Sequence, residues 1–190
     1  MEQAMFSRDG YLIDQRQTRT LPYGRHTSDY NGCGWMAGYN VLHALGLAAP
    51  ADAAEICAAL SQGLWLGGSL GTGPLRLARF LAARGAAVQK TVCRKTAQMR
   101  AQTCRVGFIM YWTGRGAHFV AFVPETAHQG EQSTANACAV PPQARNRLRF
   151  LNAICGEEHH CDTLAAFFAQ HCKGPLVFVV TVPQSAKHTP

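Results

Sequence analysis

A cysteine between two glycines, at the head of an apolar helical pattern, is the residue best placed in this chain to do chemistry: Tyr30-Asn31-Gly32-Cys33-Gly34-Trp35-Met36. A thiol at a helix N-terminus meets unpaired backbone N–H groups and the positive end of the helix dipole. Both favour the thiolate, which is the nucleophilic form. The glycines permit a tight turn into the helix and leave room for a substrate backbone to reach the sulfur. Such a nucleophile needs a base within hydrogen-bond reach and a third group that orients the base. His118 follows a glycine-rich turn, in Gly114-Arg115-Gly116-Ala117-His118-Phe119-Val120. Asn152 stands near the end of the next apolar segment, in Arg149-Phe150-Leu151-Asn152-Ala153. If these segments are neighbouring antiparallel strands, both side chains reach one end of a sheet. The imidazole then takes the thiol proton and returns it to the leaving group, while the amide on its other nitrogen fixes the tautomer.

The elements that must position these groups follow from periodicity. Residues 1–22 form a polar arm with Tyr11-Leu12-Ile13 as its apolar patch, and 23–32 form a loop rich in turn formers. Apolar residues at 35, 36, 39, 42 and 45 predict a helix from Gly34 to Leu45, stopped by Gly46. Asp52 is expected to cap a helix over 53–60. The run from Gly63 to Gly73 is a glycine-rich loop that can border a cleft, and it lacks the Lys-Ser/Thr pair of a phosphate-binding loop. Thr72 or Gly73 then caps a third helix, whose buried face is read as Leu75, Leu77, Ala78, Leu81 and Ala82. Residues 87–92 read as a short strand and 96–104 as a short helix or turn.

Beyond residue 106 the period shifts towards two. Strands are predicted at 107–112 and 117–123, joined by the hairpin turn 113–116. Residues 125–146 are a polar excursion expected to be mobile. A strand over 147–153, a helix capped by Asp162 and an apolar central strand over 175–182 complete the order, with a frayed tail from residue 184. Helices first and an antiparallel sheet second is an α+β plan, and 23–183 is read as one domain.

Composition narrows the classes. Apolar content of 47% excludes a disordered chain, and no apolar run is long enough to span a bilayer. The first residues lack the basic and apolar regions of a signal peptide, and the eight cysteines include several in apolar settings, such as Cys57. Free thiols in a reducing cytoplasm are therefore expected. His159, His160, Cys161, Cys155, His171 and Cys172 match no zinc spacing, so neither a metal nor another cofactor is expected. The net charge is +7, and no acidic residue occurs between Glu55 and Glu125. That window holds Arg76, Arg79, Arg84, Lys90, Arg94, Lys95, Arg100, Arg105 and Arg115, and it suits an acidic peptide segment. Nucleic acid is not the expected partner, because no nucleic-acid module accompanies the charge and no aromatics interleave with it.

Helical cysteine, strand-borne histidine and strand-borne asparagine, in that order, resemble the papain-like cysteine peptidases. The bacterial branch that trims leader peptides is the most similar. The matching segments are Asn31-Gly32-Cys33-Gly34 with Ala37 and Asn40, and Gly116-Ala117-His118-Phe119-Val120. The resemblance implies Cys33 as nucleophile, His118 as base and Asn152 as orienting residue, acting on a peptide through an acyl-thioester. The family's oxyanion glutamine has no counterpart just before the cysteine, where Thr27, Ser28, Asp29 and Tyr30 stand, so Asn31 is the substitute donor. Gly34, Trp35, Gly68 and Ala117 are expected to border the cleft. The same triad also serves acyl or amide transfer to an amine, and a papain-like fold without catalysis would be a binding module.

Overall fold

The structure, a computed structural model, describes residues 5–64, 68, 69, 71–125, 147–154 and 156–184. In chain order, a 3-10 turn (Gln15–Thr18) and a small ribbon of β1 (Pro22–Tyr23) and β2 (His26–Thr27) lead to one helical turn, α1 (Ser28–Asn31), and then to α2 (Cys33–Ala44). Helices α3 (Ala53–Ser61) and α4 (Pro74–Ala83), strand β3 (Gln89–Thr91) and helix α5 (Arg94–Ala101) follow. The second half supplies β4 (Cys104–Trp112), β5 (Ala117–Glu125), β6 (Arg147–Ile154), β7 (Glu157–Cys161), α6 (Leu164–His171) and β8 (Val177–Pro183). This is an α+β arrangement with one six-stranded antiparallel sheet, ordered β3-β8-β4-β5-β6-β7.

Helix α2 is the axis of the fold because it is apolar on nearly every side. Trp35, Met36, Tyr39, Val41 and Leu42 are all fully buried, which is the signature of a core helix rather than a surface one. It ends where Gly46 takes a left-handed φ of 74°. There the Gly46 and Leu47 N–H groups bond back to the carbonyls of His43 and Leu42, satisfying the last turn. Together with α3 and α4 it covers one face of the sheet, against Phe108, Phe119, Ala121 and Val180. Helices α5 and α6 cover the other face, against Ile109, Val120, Phe122, Phe150 and Val179. Odd and even residues of β5 thus serve two separate cores, as the pleat of a fully covered strand requires.

The arm is part of the core. Leu12 is fully buried, and the Asn40 side chain accepts from its N–H at 2.8 Å and donates to its carbonyl at 2.9 Å. Asn40 thus gives an edge segment the pairing a strand would give. Arg149 forms ion pairs with Asp9 and Glu158 and lies over the Tyr11 ring, fixing the start of the arm to the sheet.

Several local expectations are corrected. β1 and β2 lie where a plain loop was predicted, and β7 runs through Glu157–Cys161, a polar segment read only as the approach to the last helix. Asp52 stands at the N-cap of α3 as expected, but its side chain accepts from the Ala49 N–H rather than from the helix, and Thr163, not Asp162, caps α6 by accepting from Ala166 at 3.0 Å. α5 begins at Arg94 and β4 at Cys104, both earlier than predicted. β8 lies second in the sheet, between β3 and β4, and is shielded by helices rather than by a central position. Leu75 is 52% exposed, so the buried face of α4 is Leu77, Ala78 and Leu81. The polar excursion (126–146) and most of the tail (185–190) lie outside the described residues. No helix among the described residues is long and apolar enough to cross a membrane.

Candidate active site

Cys33 is the first residue of α2, and Gly32 before it is held by its N–H donating to the Ser28 carbonyl at 2.7 Å. A Cβ on Gly32 would stand 2.3 Å from that carbonyl oxygen, and one on Gly34 would stand 2.8 Å from Thr72 Cβ. The two glycines are therefore demanded by close packing on both sides of the sulfur. Cys33 is partly exposed as a residue. His118 and the backbone N–H groups of Phe119 and Gly34 act on its sulfur.

The sheet opens at this point. β5 and β6 stay in register only as far as Ala121 and Leu151. Asn152 takes a positive φ of 65°, the only non-glycine residue to do so among those described, and the pairing of β6 with β7 shifts between Leu151 and Ile154. Such a bulge turns a backbone group out of the ladder and re-aims it. Here the re-aimed group is the Asn152 carbonyl, which lies 2.9 Å from His118 Nε2. A carbonyl oxygen only accepts, so Nε2 carries the proton and Nδ1 is left for the sulfur. Phe119, just past the last register pair, is free to donate its N–H to Sγ.

The charges follow from these contacts. Burial works against an ionised Cys33, but the bond to His118, its charge and the two backbone N–H groups outweigh it, so the thiol is held below its ordinary value. Burial likewise works against a charged His118, but the sulfur and the Asn152 carbonyl outweigh it and hold the imidazole above its ordinary value. The two opposite shifts both favour transfer of the thiol proton to the imidazole. Among the described thiols, burial pushes Cys57 and Cys104 up to about 12. Cys93 is the exception, since the side chain and N–H of Thr96 lower it at an exposed helix start.

Three of the residues singled out in the sequence therefore meet, but the third contributes differently than expected. The orienting contact on His118 is the backbone carbonyl of Asn152, not its amide. The amide nitrogen donates to Gln15 Oε1 at 3.3 Å, and Oδ1 is buried with no partner among the described residues. Gln15 is the residue that sequence reasoning missed. It is buried, and its amide also donates to the Ser28 and Asp29 carbonyls, so it ties the segment before Cys33 to the bulge at Asn152. Its one sequence signal is a glutamine beside the arm's apolar patch.

The expected cleft residues divide. Ala117 lines an open cleft of about 470 Å³ with Thr72, Met110, Phe119 and Leu75. Gly34 packs on Thr72 at its edge. Trp35 does not border it: its ring is fully buried and Nε1 donates to Ser28 Oγ at 2.5 Å. Gly68 accepts from the Asn31 amide, which binds this loop to the helix start instead of facing the sulfur alone. Beside Gly34, the buried hydroxyls of Tyr23 and Thr72 form a mutual hydrogen bond. Two hydroxyls have two protons and one shared bond, so one proton stays available to another acceptor. Burial raises the Tyr23 phenol well above its ordinary value and keeps it protonated. Among the described residues, no group of three or more His, Cys, Asp or Glu side chains is placed to hold a metal ion.

No protein-family model matches this sequence, and a search of curated proteins gives no match.

Proposed function

We propose that this chain is a papain-like cysteine hydrolase that cleaves peptide bonds through an acyl-thioester. One observation carries the reading: His118 is held between the Cys33 sulfur and the Asn152 carbonyl, with its proton-bearing nitrogen assigned by that carbonyl. A thiol at a core-helix N-terminus, facing a base at the open end of an antiparallel sheet, is also the papain-like plan.

The Cys33 thiolate attacks the substrate carbonyl carbon, forming the C–S bond and a tetrahedral oxyanion. On this reading, first-turn N–H groups of α2, which lack partners within the helix, and the spare proton of the Tyr23–Thr72 pair stabilise that oxygen in place of the missing glutamine. His118 gives its proton to the departing amine as the C–N bond breaks. It then takes a proton from water, which attacks the thioester and releases the acid and the thiol.

The test is trapping the acyl-enzyme by rapid acid quench with a peptide ester or anilide, followed by intact-mass and fragment analysis. The adduct is expected on Cys33 alone, with turnover abolished by Cys33→Ala and reduced roughly 10²–10⁴-fold by His118→Ala. Hydrolysis that survives Cys33→Ala would overturn the reading.

A further inference from the structure

The cleft lined by Thr72, Ala117 and Phe119, which flank Gly34 and His118, is largely apolar, and its charged wall is α4, with Arg76 and Arg79. These two residues are one helical turn apart and so share a face. Neither has an ion pair among the described residues, whereas Arg84, on the same helix, is paired with Glu55. Arg76 Nη2 donates to the Ala59 carbonyl at 3.3 Å at the end of α3, but Nη1 is buried and has no partner among the described residues. A buried guanidinium nitrogen without an acceptor is costly, and structures rarely leave one unsatisfied unless something else completes it. The sequence itself has no acidic residue between Glu55 and Glu125. Leu75, 52% exposed, lies on the same wall, so the helix offers an apolar contact beside two forked donors.

We infer that this wall is a specificity subsite for a carboxylate on the peptide substrate, bound by Arg76 and Arg79 while an apolar neighbour packs on Leu75 and Met110. The inference rests on the hydrolase reading, since the cleft matters through Ala117 and Phe119, the residues on either side of His118. Guanidinium and carboxylate match in fork geometry, and in a half-enclosed apolar cleft the pair is screened less than on an open surface. The carboxylate has two sources, an Asp or Glu side chain or the peptide's own C-terminus.

The test uses matched peptide vinyl sulfones, which alkylate an activated thiol without turnover. Glu and Gln are exchanged at each position, and one further pair has a free or an amidated C-terminus. Labelling of Cys33 is followed by mass spectrometry. At one position the acidic probe is expected to react roughly 10–100-fold faster than its neutral match, the gain of a charge-assisted over a neutral contact. The position of the effect identifies side chain or terminus. Arg79→Gln, on the exposed side of α4, should cut that preference at least several-fold, and Arg79→Glu should transfer it to a Lys probe; unchanged thermal unfolding controls for the fold. Equal rates for acidic and neutral probes at every position would overturn the subsite and leave the hydrolase standing. Failure of all probes to label Cys33, or labelling indifferent to His118→Ala, would overturn the hydrolase and the subsite with it.

Discussion

Replacing Asn152 by glycine should preserve far more activity than replacing it by alanine. Asn152 sits at φ 65°, and its carbonyl, not its amide, contacts His118 at 2.9 Å. Alanine keeps the carbonyl but resists the left-handed region, at a cost of about 1–2 kcal/mol. It also loses the 3.3 Å bond to Gln15, worth about 0.5–1.5 kcal/mol. Glycine loses the same bond but adopts this φ freely. Both substitutions remove Oδ1, a buried acceptor with no partner among the described residues, so that gain does not separate them. Alanine is therefore expected to be about 1–2 kcal/mol less stable than glycine in denaturant titrations. If the bulge relaxes to relieve alanine, the carbonyl swings off His118, and kcat/KM falls by about tenfold for each 1.4 kcal/mol of lost orientation. Glycine should stay within about tenfold of the parent by the same conversion. Stopped-flow kinetics on one substrate, beside unfolding curves, measures both quantities. Equal and deep losses in the two variants, with Asn152→Asp retaining activity, would refute the backbone role and reinstate the side chain.

Other outcomes follow from the same geometry. The pH profile of kcat/KM should be bell-shaped. A lowered Cys33 loses its ionised form as pH falls through the folded thiol value, which lies below the usual ~8.5. A raised His118 loses its proton as pH rises through the folded imidazole value, which lies above the usual ~6.5. A flat profile across that span would remove the ion pair. With iodoacetamide at mildly acidic pH, Cys33 and Cys93 should be alkylated ahead of Cys57 and Cys104, and His118→Ala should slow Cys33 only. Gln15→Ala strips the donor from the Ser28 and Asp29 carbonyls and should cost about 1–3 kcal/mol in unfolding experiments. It should also lower kcat more than it raises KM, because it loosens the bulge and not the cleft. Gly34→Ala drives a methyl against Thr72 and should cost about 1–3 kcal/mol, with turnover impaired while iodoacetamide still reaches Cys33.

How much of this was legible beforehand depends on the range of the forces involved. Helix α2, the β4–β5 hairpin and the alternation of β5 carry their periods in neighbouring residues, so their types could be read directly. Cys33 and His118 could be picked out because each sits beside glycines at a change of period. β7 could not: Glu157-Glu158-His159-His160-Cys161 has no apolar alternation, and it is a strand because β6 offers it a free edge. The role of Asn152 could not be read either, because a residue type says nothing about which way its carbonyl turns, and a bulge arises from two registers that disagree. Trp35 was expected at the cleft on proximity to Cys33, yet successive helix residues point about 100° apart, and its direction is inward to Ser28. Gln15 binds across two long separations, to Ser28 and to Asn152, that no local pattern records.

The placement of the bulge also sets when the thiol becomes dangerous. Cys33 emerges early from the ribosome, while His118 and Asn152 are made much later, and β6 must close on β5 before the carbonyl meets the ring. Until that long-range pairing forms, the sulfur has neither its base nor the Phe119 N–H and behaves as an ordinary thiol of pKa ~8.5. On the proposed reading, completion of the sheet, rather than synthesis of Cys33 itself, sets the moment at which the sulfur acquires its partners.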